Sequence, residues 1–136
     1  MTMWVLATWP PMAITSEPNA DAVETAIRAL DNETRLGLAL FRERDDPPES
    51  ERIVVMGGKR LNVEYWPAGA EAPTFYLQDD RADKHAQTLV NFGDQGTLAY
   101  PMSETVTQDI AVAEILYFMK HGKISAYGAW SPYDSL

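Results

Sequence analysis

The sequence predicts an α+β fold: a mainly antiparallel β-sheet with two α-helices packed on one of its faces. Three observations carry this. Short runs of alternating apolar and polar residues recur, separated by Gly, Pro, Asn and Asp. Two segments place apolar residues at helical spacing, with capping residues at their ends. The order is strand, helix, several strands, helix, strand, and tight turns dominate, which favours antiparallel pairing.

The elements follow in order. Met3 to Trp9 reads as a strand, closed by Pro10-Pro11, which cannot continue a ladder. Asn19 is a plausible N-cap, with Asp21 and Glu24 in the first turn, where the helix dipole favours acids. Val23, Ile27 and Leu30 give that helix one apolar stripe. Leu36, Leu38 and Leu40 alternate with Gly37, Ala39 and Phe41, a strand with both faces partly covered. Asp45 to Glu49 reads as a solvated loop.

Arg52 to Met56 and Lys59 to Trp66 are two strands joined at Gly57-Gly58, a pair that supplies positive φ for a hairpin. In the second arm Leu61, Val63 and Tyr65 alternate with Asn62, Glu64 and Trp66, so one face is core and the other exposed. Thr74 to Leu77 is a further strand, and Asp79 to His85 a charged connection. Thr88 to Phe92 and Thr97 to Tyr100 flank a Gly93–Gly96 turn. Thr105 with Gln108 fits a capping box, and the helix runs to His121, where Gly122 stops it. Ile124 to Trp130 returns as a last strand.

The 136 residues fit one domain, 1–136. Hydrophobic residues make up 46%, enough for a core, and set the chain apart from disordered sequences. Lys plus Arg number 11 against 20 Asp plus Glu, a net charge of −9. Such a surface repels nucleic acid and anionic lipid, which need cationic groups, and it complements a basic protein. Solubility alone also explains it. With no cysteine there is no disulfide, thiolate metal site or cysteine nucleophile, and the cytoplasm is the expected compartment. The apolar start, Met1 to Ile14, lacks a basic leader and is broken by prolines, so neither a signal peptide nor a membrane span is expected.

No catalytic site, cofactor or metal is expected. His121 sits in a last helical turn, where a cation is stabilising. Asp79, Asp80, Asp83 and His85 cluster in sequence but lack the alternation, central Gly and terminal Glu of a calcium loop. Gly57-Gly58-Lys59-Arg60 fails the spacing of a phosphate loop, and Ser103 has no Gly-x-Ser-x-Gly elbow. A carboxylate pair brought together in space stays open. The aromatics are more informative: 4 Trp, 6 Tyr and 4 Phe are many for this size. Tyr65 and Trp66 are adjacent on one strand and point to opposite faces, so one of them leaves the core. Aromatics beside carboxylates suit a protein-binding surface, whereas a small second apolar cluster is the structural alternative.

The last third resembles the Imm1 family of bacterial immunity proteins. The matching residues are Gly96-Thr97-Leu98-Ala99-Tyr100-Pro101, Ser103, Val106, the helix Asp109 to Lys120, Gly122 and Trp130. The resemblance implies a protein that binds and inhibits a cognate secreted bacterial toxin, often a nucleic-acid deaminase, by occluding its active site. The implied partner is a basic toxin domain. The residues expected to meet it are Tyr65, Trp66, Asp79, Asp80, Asp83 and Asp94, from the hairpin face and the acidic loops. The alternatives are a non-toxin interaction module or complex subunit and, behind both, a small enzyme.

Overall fold

A computed structural model describes residues 3–43, 50–126 and 129–133. The expected Asp45–Glu49 loop lies outside them. The strands are β1 (Met3–Trp9), β2 (Ala13–Ser16), β3 (Gly37–Glu43), β4 (Arg52–Gly57), β5 (Arg60–Trp66), β6 (Phe75–Leu77), β7 (Gln87–Asn91), β8 (Thr97–Pro101), β9 (Val106–Thr107) and β10 (Trp130–Pro132). The helices are α1 (Ala20–Arg28) and α2 (Gln108–His121). The main sheet runs β10-β6-β5-β4-β3-β1-β2, with β9 also on β5, and β7–β8 form a separate ribbon. Every pairing is antiparallel, so the fold is α+β, as the turn chemistry predicts.

Alternation along the strands splits the main sheet into two faces. Leu6, Leu38, Leu40, Ile53, Val55, Leu61 and Val63 meet Val23 and Ile27 of α1 and Ala111, Val112, Ile115 and Phe118 of α2. Phe118 is fully buried and receives the edges of Trp4 and Tyr65 at 5.2 and 6.2 Å between ring centres. The opposite face carries a second, smaller cluster of Leu36, Met56 and Val90, with Trp9, Val54, Phe92 and Tyr100 around it. The β7–β8 ribbon therefore lies across the face of β5 that alternation alone leaves exposed, and Asn62 is buried beneath it at 1% exposure. Asn32 pins the ribbon, donating to the Leu89 carbonyl at 3.0 Å and accepting from the Asn91 N–H at 2.9 Å.

Local signals set several boundaries. Asn19 caps α1 by accepting from the Ala22 N–H at 2.8 Å. Gly122, at φ 72°, takes the left-handed position that ends α2, and its N–H bonds the Phe118 carbonyl at 2.7 Å. Three expectations are corrected. First, Ala13–Ser16 is an edge strand, where the sequence reading stops at the prolines. Second, Thr107, not Thr105, caps α2. Val106 pairs with Leu61, which holds the backbone extended for two more residues. Thr105 is buried and donates to the Met102 carbonyl at 2.8 Å. Third, the last strand is Trp130–Pro132: of the expected Ile124–Trp130 strand, residues 124–126 are outside any strand, residues 127–128 lie outside the described residues, and among the described residues pairing with β6 begins at Trp130.

Candidate protein-binding surface

The six residues expected at the interface fall in separate places. Tyr65 faces the helices rather than solvent. Its ring packs on Phe75 and Phe118, and its hydroxyl donates to Glu51. Burial and that carboxylate both push its pKa upward. Trp66 points to the other face, half-buried, with the Arg52 guanidinium 4.5 Å from its ring centre. Asp79 is at the opposite end of β5, about 20 Å away along the strand. There it pairs with Arg60 at 3.0 Å and accepts from the Arg81 N–H at 3.0 Å. Burial opposes its charge, but those two donors hold its carboxyl below the usual range. Asp80 and Asp83 are exposed near the base of the ribbon, and Asp94 is exposed at its tip, in the short Gly93–Gln95 turn. Five ribbon residues, about 17 Å, separate base from tip.

A different constellation lies on the sheet face opposite the helices. Glu64 of β5 pairs in register with Tyr76 of β6, so the two side chains share that face. Tyr133, just beyond β10, stacks on Tyr76 at 4.8 Å and donates its hydroxyl to Glu64 Oε2. Tyr100 of β8 is close enough that the Glu64 and Glu104 charges, after burial, raise its pKa. Burial also raises the pKa of Glu64, and the Tyr133 hydroxyl and the Trp66 indole only partly offset it. Among the described residues no Lys, Arg or His pairs with Glu64. The Asp79 N–H, bonded to the Ser103 carbonyl at 2.8 Å, holds the Asp79–Asp80 loop against the turn that carries Glu104.

The arrangement is a half-buried carboxylate walled by Tyr76, Tyr100 and Tyr133, with Glu104 near Tyr100. Chemically it suits a cation that enters between aromatic faces and meets a carboxylate. Arg is the fitting side chain, since it stacks on rings and bonds a carboxylate in two places. The sequence reading put Glu64 and Trp66 on one face but not the tyrosines, because Tyr76, Tyr100 and Tyr133 come from three other segments.

Other candidates resolve into structure. His121 stacks on Tyr117 at 4.3 Å, and the His85 N–H bonds the Asp83 carboxylate at 2.8 Å. Among the described residues no three His, Cys, Asp or Glu come together as a metal set. Gly57-Gly58 is a hairpin turn, and Ser103 sits in the Met102–Glu104 turn. Among the described residues no helix is long and apolar enough to cross a membrane. The chain matches no protein-family model, no curated protein and no solved structure.

Proposed function

We propose that this chain is a cytoplasmic immunity protein that binds and inhibits a cognate secreted toxin, and that it acts as a stoichiometric binder and not as an enzyme. The reading joins the resemblance of the last third to one structural observation: a desolvated Glu64, walled by tyrosines, with no cation of its own among the described residues. A carboxylate in that position is stabilised when a partner supplies the missing positive charge. Tyrosine walls contribute rigid contact area at small entropic cost, as binding hot spots do. The net charge of −9 steers a basic partner toward the surface.

The toxin class that fits is one that acts on nucleic acid, such as a deaminase, because its substrate groove must be basic. An arginine or lysine of that groove would enter between Tyr76, Tyr100 and Tyr133, and the inhibitor would cover the active site. Co-expression with the protein encoded immediately beside this chain tests the proposal. Recovery of a one-to-one complex and rescue of growth support it. A neighbour that forms no complex, or a toxic neighbour that is not neutralised, refutes it.

A further inference from the structure

A second surface lies on the other side of the sheet and does not rest on the toxin reading. Between α1 and the β1–β2 edge is a cleft of about 560 Å³. Its floor includes Leu6 and its wall is Ala22, Ala26 and Ala29, with Thr15 of β2 at the open side. These alanines form a stripe on α1 separate from the buried Val23 and Ile27. The sheet ends at β2, and among the described residues nothing pairs with its outer edge. All four β2 residues are exposed, and Met12 and Ile14 are 65% and 59% exposed. Edge strands are ordinarily protected by short length, charge, proline or a bulge, and of these β2 has its four-residue length. Ala13–Ser16 carries no charged residue and no proline.

We infer that the β2 edge and this cleft together receive an extended segment of a partner protein, added as a further antiparallel strand. Main-chain bonds to β2 would hold it, and alternate large apolar side chains would enter the cleft. The ends of the cleft give the segment a polarity. Ala13 pairs with Thr8, and the Leu36 N–H bonds the Trp9 carbonyl at 3.0 Å, so Arg35 marks the Ala13 end. Asp21, which lines the cleft and follows Ser16 closely in the chain, marks the other end. An antiparallel segment therefore begins with a basic residue at Asp21 and finishes with a carboxylate at Arg35. A second copy of this chain fits less well. In a two-fold β2–β2 pair the residues facing the cleft are Ala13 and Thr15, which are too small to fill it.

The test uses the whole chain and an acetylated heptapeptide, Lys-Thr-Leu-Thr-Leu-Thr-Glu, whose odd-numbered Lys, Leu and Glu share the cleft face, with a control in which Lys and Glu are exchanged. Fluorescence polarisation measures affinity, and amide shifts of the ¹⁵N-labelled chain locate binding. The Lys-first peptide should bind saturably and shift the amides of Ala13–Ser16 and of Ala22, Ala26 and Ala29. Ala26→Phe, which fills the cleft, should weaken it by about tenfold or more. Asp21→Lys, at an exposed position that leaves the core untouched, should turn the preference toward the control peptide. The inference fails if neither peptide moves the β2 amides, if the shifts lie elsewhere, or if a folded Ala26→Phe chain binds as tightly. It also fails if β2 shifts with protein concentration alone and sedimentation shows a dimer, which would make the occupant a second copy.

Discussion

Asp79 gives the sharpest perturbation, because the structure moves it from a surface role to a supporting one. Its side chain is 12% exposed and that of Arg60 is 15% exposed, with 3.0 Å between Arg60 Nη2 and Asp79 Oδ2. Asp79→Ala leaves the guanidinium desolvated without its counter-charge. Breaking a fully buried pair costs about 3–5 kcal/mol. Arg60 keeps the Thr105 hydroxyl at 3.1 Å and the Met102 and Thr105 carbonyls at 2.8 and 2.6 Å, so the loss falls below that range. We expect about 2–3 kcal/mol, or roughly 8 °C in Tm for a chain of this size. Urea unfolding at pH 7 measures it, with the exposed Asp80→Ala as the control, expected within about 0.5 kcal/mol. The pH dependence has a definite sign. Asp79 is depressed in the fold, so its contribution is present above the ordinary carboxylate range and lost as pH falls through its lowered value. The difference between wild type and Asp79→Ala should therefore shrink in acid. If Asp79→Ala is no more destabilising than Asp80→Ala, or if the gap does not narrow at low pH, the supporting role is wrong.

Two further predictions concern the core and the carboxylate. Phe118→Ala removes a fully buried ring that touches Trp4 and Tyr65, and should cost about 3–5 kcal/mol by urea unfolding. Glu64 is raised in the fold, so its contribution to stability is fullest below the ordinary carboxylate pKa and declines as pH rises through its own. Glu64→Gln should consequently match wild type in acid and equal or exceed it in thermal stability at pH 7, as a melting series across pH 4–8 reads out.

The fold was legible where the signal is local. Met3 to Trp9, Asn19 as a cap, the Gly57 turn and Gly122 as a stop each depend on residues within a few positions. It failed where a distant partner decides. Ala13–Ser16 is too short and too weakly patterned to be read as a strand, and only its neighbour β1 makes it one. The start of α2 shifts because Leu61, far away in sequence, claims Val106 for the sheet. Alternation in β5 separated Tyr65 from Trp66 correctly, yet it could not show that the helices take the Tyr65 side and that the β7–β8 ribbon covers part of the other. The candidate binding surface was the least legible part. Glu64, Tyr76, Tyr100 and Tyr133 are spread over four segments, and no spacing rule links them. Asp79, Asp80 and Asp83 are close in sequence and so legible as a cluster, but Asp79 is occupied by Arg60.

Glu64 is the point on which the functional account turns. Calorimetric titration of the protein encoded beside this chain, the proposed toxin, with wild type and Glu64→Gln compared at pH 7, tests it most directly. Gln keeps the shape and the Tyr133 contact while removing the charge that a partner cation would meet. Losing one member of a buried charge pair costs about 2–5 kcal/mol, so affinity should fall roughly thirtyfold or more while the variant stays folded. Wild-type binding should also weaken as pH falls through the raised Glu64 pKa, because the cation binds the ionised form. Equal affinity for the two proteins would contradict the account.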